Sequence, residues 1–159
     1  TAKGLLNKAF ELDNNLLAAK ILLGDCYHRE TIINPKDENK LDLKALNIFE
    51  EVLELAQKND DKLWIGRSLR YIGNTCDDDE EKKYDYYFRS LEMATLIDDK
   101  EGMSYNYNNI GYYYLEKEEY VKAIEFYQQI FTIKQGVILI IINYQVFYCY
   151  TVKQFKINT

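Results

Sequence analysis

Proline is almost missing from this chain: Pro35 stands alone among 159 residues, and glycine numbers only 7. All-β folds need many turns and draw on both residues to make them, so long helices with few connections are expected. Histidine is equally scarce, with His28 the single copy. One imidazole, without a second His or a CxxC pair, assembles neither a zinc site nor a Ser-His-Asp triad. The glycines are isolated and build no phosphate loop. The cysteines, Cys26, Cys76 and Cys149, are odd in number and lack framework spacing, which favours packing roles in a reducing, cytoplasmic setting. No apolar run reaches the roughly twenty residues that a membrane helix needs. Clustered Lys and Arg are lacking too, and the net charge is −6, which disfavours nucleic acid as a partner. Neither an enzyme, a metal, a cofactor nor a membrane span is expected.

What is present reads as helix. Apolar residues make up 47% of the chain and charged residues 29%, enough for a core with a solvated exterior. Seven amphipathic stretches follow one another with apolar side chains at helical spacing. They cover about Ala2–Leu12, Leu16–Glu30, Leu41–Lys58, Lys62–Cys76, Glu80–Ile97, Glu101–Glu116 and Glu119–Lys134. Asp61 is placed to cap the fourth stretch. The acidic run Asp77 to Glu81 complements the dipole of the fifth helix; it lacks the glycine kink and distal glutamate of a Ca²⁺ loop. His28, near the end of the second stretch, is expected at the surface or in a cap. The chain opens at Thr1, already in a helical pattern, so the start is expected to be a cut from a longer protein or a processed end.

Internal similarity is the strongest pattern. Leu22-Leu23-Gly24-Asp25-Cys26-Tyr27 is echoed by Tyr71-Ile72-Gly73-Asn74-Thr75-Cys76 and by Asn109-Ile110-Gly111-Tyr112-Tyr113-Tyr114. Downstream, Lys44-Ala45-x-x-x-Phe49-x-x-Val52-Leu53 matches Lys122-Ala123-x-x-x-Tyr127-x-x-Ile130-Phe131, and Tyr87-x-x-Ser90-Leu91 is a weaker middle copy. A glycine inside a helix costs about 1 kcal/mol against alanine, so three at matching places call for a packing reason.

The pattern resembles the tetratricopeptide repeat, over about residues 2 to 134. The resemblance implies an all-α, right-handed superhelical stack of antiparallel helical hairpins. A half repeat would occupy 2–15, and full repeats about 16–58, 61–97 and 101–134. The glycine would admit the second helix of each pair, with Ala45 and Ala123 serving the same contact. The intervals between glycines exceed the family's minimal repeat of about 34 residues, the first mostly through the loop holding Pro35. The connection around Asp98-Asp99-Lys100 is similar to that of longer variants found in multi-domain regulators. In the middle copy Cys76 stands where tyrosine is usual, and a tilted or looser pair is expected there.

The family's first helices line a concave groove. By resemblance, Ile21, Asp25, His28 and Arg29 fall there, then Arg67, Arg70 and Asn74, then Tyr105, Asn108, Asn109 and Tyr112. Asparagine holds a peptide backbone with donor and acceptor together, and arginine forks onto carboxylates. Arg70, Asn74 and Asn109 match a carboxylate clamp in part; Ile21 and Asp25 depart from it. The implied function is a scaffold that binds a protein or peptide in the groove. The alternative is a sensory or regulatory segment of a larger signalling protein, a kinase or a transcription regulator. Residues 135–159 break the pattern with Val137 to Ile142 and an aromatic stretch. Three readings stand for this tail: a capping helix, a strand or irregular segment, or a non-native sequence. If exposed, it is an aggregation hazard and a route to self-association.

Overall fold

The structure is a computed structural model that describes residues 16–33, 38–76 and 79–133. The expected helix before Leu16 and the tail from residue 135 lie outside the described residues. Six helices occupy the rest, with no strand among the described residues: α1 Leu17–Ile33, α2 Glu38–Lys58, α3 Lys62–Thr75, α4 Glu80–Leu96, α5 Lys100–Glu116 and α6 Tyr120–Ile133. The all-α expectation holds. Helix α1 runs about one turn further than its apolar pattern indicates. Thr31, 6% exposed, is packed in that turn and donates its hydroxyl to the His28 carbonyl at 2.6 Å. A β-branched polar residue is accommodated this way at a helix end.

The chain divides into two compact units, one up to Ile97 and one from Asp98 onward. In the first, neighbouring helices run antiparallel. Along α1 and α2, Lys20 pairs with Glu51, Gly24 meets Phe49, and His28 meets Asp42. Ile21, Ala45, Phe49, Val52 and Ile72 form one buried cluster drawn from α1, α2 and α3, flanked by Trp64, Tyr71 and Tyr86. Phe49 stacks on Tyr71 with centroids 5.0 Å apart. Along α3 and α4, Gly73 meets Tyr87, and Ser90 Oγ donates to the Gly66 carbonyl at 2.7 Å. Burying a Leu, Ile or Phe side chain is worth about 1.5–3 kcal/mol, so this cluster holds the unit. In the second unit, Ala123, Tyr127 and Ile130 of α6 pack with Tyr107, Tyr114 and Leu115 of α5.

Three short joints share one backbone device. Asp60, Asp98 and Glu118 take the left-handed conformation, with φ of 53°, 55° and 60°. After α2, the Asp61 amide reaches back to the Ala56 carbonyl at 2.9 Å and that of Asp60 to Gln57 at 3.1 Å. After α5, Glu119 reaches Tyr114 at 2.8 Å and Glu118 reaches Leu115 at 3.0 Å. Both are Schellman closures, which satisfy the last helical carbonyls and normally place glycine at the left-handed residue. In two of the joints the next residue starts the following helix. Asp61 accepts from the Trp64 amide at 3.2 Å and Asp99 from that of Gly102 at 3.1 Å. Asp79 caps α4 likewise, through the Lys82 amide at 3.0 Å. Left-handed backbone strains a residue with a Cβ. Glu118→Gly is therefore expected to raise stability by about 0.5–1 kcal/mol, less the extra freedom glycine gives the unfolded chain. Urea unfolding would read it, and a loss of stability would show that the Glu118 side chain itself contributes.

Candidate functional site

The three repeat-matched glycines make one contact three times. A Cβ on Gly73 would stand 2.8 Å from the Tyr87 ring, and a Cβ on Gly111 2.8 Å from the Tyr127 ring. On Gly24 it would run into the ring of Phe49, nearer still. Each glycine thus receives the edge of an aromatic ring from the second helix of its own pair. The aromatic residues are 0%, 4% and 1% exposed for Phe49, Tyr87 and Tyr127, so no ring can swing aside. Ala45 and Ala123 are buried in the same pairs. The middle pair keeps this contact, so the looser packing expected from Cys76 is not seen at Gly73. This seam orients the outward face of each first helix.

The seven singled-out residues fall on two such faces, one per unit. On α3, Arg67, Arg70 and Asn74 lie at helical spacing along one stripe. The guanidinium of Arg67 lies 5.0 Å from the Trp64 ring centroid, and that of Arg70 lies 4.5 Å from the Tyr71 centroid. Asn74 Oδ1 accepts from Tyr87 Oη at 2.8 Å. This asparagine is therefore engaged in holding its own hairpin, beyond any role toward a ligand. On α5, Tyr105, Asn108, Asn109 and Tyr112 form the second stripe. Tyr105 and Tyr112 are each about half exposed, while Asn108 and Asn109 are half-buried.

Two expectations for α1 need correction. Ile21 is 4% exposed and belongs to the core cluster, because its side chain faces α2 and α3. His28 is neither a free surface group nor a cap: its Nδ1 lies 3.2 Å from Asp42 Oδ1 of α2. Asp25 accepts from Arg29 Nε at 2.8 Å, one turn away, so these two charges offset each other.

The Tyr112 phenol is held above its ordinary value of 10.0. The main cause is a hydrogen bond to the Glu116 carboxylate, then the charge of that carboxylate, then burial. The raised folded value means the contribution is fully present below pH 10 and fades as pH rises through the folded pKa. Glu116→Gln is expected to bring the Tyr112 titration back toward 10, as read from the ring carbon resonances by NMR. An unchanged titration would show that Glu116 is not the cause.

Among the described residues no cluster of His, Cys, Asp and Glu has the makings of a metal site, and no helix is long and apolar enough to cross a membrane. Cys26 and Cys76 are half-buried and form no disulfide among the described residues. An open apolar depression of about 450 Å³ lies along α4, lined by Phe88, Leu91, Glu92, Thr95 and Leu96. Sequence reasoning did not single it out, although the exposed Phe88 and Leu96 continue the apolar pattern beyond what the core uses. No protein-family model matches the chain, and no curated protein is significantly similar to it.

Proposed function

We propose that this chain is a protein-interaction module of the tetratricopeptide kind. Its helix pairs would stack into a right-handed superhelix and hold a peptide or helix against the outward faces of the first helices. The observation that carries the reading is the recurring glycine–aromatic contact at Gly24, Gly73 and Gly111. Three pairs whose helices differ in length preserve it, which is what a repeat with a fixed hairpin geometry requires. The contact of α1 with α3, beside that of α2 with α3, further supports a row of hairpins. A half repeat before Leu16 and a setting in the cytoplasm belong to the same proposal. The alternative, a sensory or regulatory segment of a larger signalling protein, draws on the resemblance of the joint at Asp98 to that of longer variants.

Faces made of arginine, asparagine and tyrosine suit peptide recognition. They offer donors, acceptors and flat apolar area at low conformational cost. No grouping on either face supplies a nucleophile with a base, so the module is read as binding without catalysis. The test is reconstitution. A partner captured by the chain is purified and rebound to wild type and to Arg70→Ala plus Asn109→Ala. Loss of binding supports the groove assignment. Unchanged binding removes it.

A further inference from the structure

One carboxylate on the outward face of α5 has no local reason to be there. Five places after the contact glycines stand Arg29, Asp78 and Glu116, so the seam requires neither sign of charge at this position. Glu116 is the last residue of α5, and no base stands in that turn. A carboxylate at this end opposes the helix dipole, which favours a cation. Glu116 enters no ion pair among the described residues; its partner is the Tyr112 phenol, which donates to it from one turn away. The lysines that follow are engaged elsewhere. Lys117 lies over the Tyr113 ring, and Lys122 lies over the Tyr114 ring while pairing with Glu119. At the other end of α5, Glu101 is exposed, and after Lys100 the helix has no base at all. At 100° per residue, Glu101, Asn108, Tyr112 and Glu116 share about a quarter of the helix circumference, and the two acids stand about 22 Å apart along it.

We propose that this face of α5 binds a basic peptide segment of a partner protein, whose lysine or arginine side chains meet Glu116 beside Tyr112 and Glu101 at the far end. The assignment rests on the interaction-module reading above and names the chemistry of its ligand. A cation arriving at Glu116 meets a carboxylate, the negative end of the helix and the ring of a half-exposed tyrosine together. The Tyr112 phenol occupies only part of the accepting capacity of the carboxylate, which leaves room for a charge-assisted bond. It also holds the carboxylate in place before binding, which reduces the entropy lost on capture. Asn108, half-buried between the two acids, offers its amide to a peptide backbone. The distance between the acids is that of about seven extended residues, which is why a peptide is chosen over a small amine. The net charge of −6 attracts a basic segment, and a face without a base of its own accepts it without repulsion.

The test uses the full chain and a fluorescein-labelled decapeptide of alternating lysine and alanine, followed by anisotropy. Wild type is expected to bind saturably and to shift the Tyr112 ring resonances in NMR. Glu101→Gln plus Glu116→Gln is expected to weaken binding at least about tenfold, the effect of losing charge-assisted hydrogen bonds. Glu50→Gln plus Glu54→Gln removes the same charge from the exposed side of α2 and is expected to change it by about twofold or less. Glu116→Gln alone replaces the α5 pair should that pair melt early, with a loss of about threefold or more expected. Absence of binding, equal loss in both pairs, or retention in the α5 pair overturns the proposal. So does displacement of the peptide by spermidine at comparable concentration, or occupation of the face by a second copy in sedimentation. A chain that fails here but still holds a purified partner through Arg70 and Asn109 loses only the basic-segment assignment. Failure in both assays removes the module reading as well.

Discussion

Phe49→Ala is expected to cost about 3–5 kcal/mol, the range for truncating a fully buried aromatic side chain. Phe49 is 0% exposed and lies at the meeting of three helices. Its ring fills the notch left by Gly24 on α1, stacks on Tyr71 of α3, and packs with Ala45 and Val52 on its own helix. Removing it leaves a cavity that no neighbour can close, because the notch exists only where a side chain is missing. Total stabilities of domains this size are about 5–15 kcal/mol, so most of the margin of the first unit would go. Chemical denaturation followed at Trp64, which borders the same cluster, would read the midpoint. A loss below about 1.5 kcal/mol, the scale of a volume-conserving swap, would mean that Phe49 is not the keystone of this unit.

Much of this arrangement is legible in the residues, and the reasons are local. Apolar spacing of 3.6 places α2 to α6 within a few residues of their observed ends, because few prolines or glycines interrupt it. The acidic caps are equally readable: Asp61 and Asp99 sit where a carboxylate meets free amides. The glycine pattern identifies the seam because each mid-helix glycine is otherwise unfavourable. Its aromatic counterpart could be matched by position alone for Phe49 and Tyr127. Tyr87 was harder to place, since Lys83 stands where Ala45 and Ala123 stand in the other pairs.

Other features depend on tertiary contact and leave a weaker trace. Gly66 is a second close approach in α3, with a would-be Cβ 3.2 Å from Met93 Cβ. It has no counterpart glycine in the other first helices, so repetition did not reveal it. The register of Ile21 indicates the groove, yet it is core, because α1 has α2 and α3 on that side. The left-handed Asp60, Asp98 and Glu118 leave little trace in the sequence, because glycine is the usual sign of that conformation. The tripeptide Asp-Asp-Lys at both 60–62 and 98–100 was the available signal. Among the groove residues, the register of each stripe follows from spacing. The stacking of Arg67 and Arg70 on Trp64 and Tyr71 does not, since it requires knowing that those rings are themselves held by α2.

Gly24→Ala provides the sharpest check of the seam, because helix propensity and packing predict opposite signs. In an unconstrained helix interior alanine is better than glycine by about 1 kcal/mol. Here the three nearest atoms to the added methyl all belong to the Phe49 ring, which is fully buried and cannot withdraw. Overpacking of this kind costs about 1–3 kcal/mol or more, so the net result is expected to be a loss of about 2 kcal/mol. With Phe49→Leu in place the ring edge is gone, and the same Gly24→Ala change should become neutral or stabilising by up to about 1 kcal/mol. The sign reversal is the coupling energy of the pair, measured by a double-mutant cycle on urea midpoints. Gly66→Ala, facing the looser 3.2 Å contact with Met93, should fall between these cases. If Gly24→Ala stabilises wild type, or if its cost is the same in both backgrounds, the glycine is not there to admit Phe49. The hairpin geometry that aligns the binding faces would then need another origin.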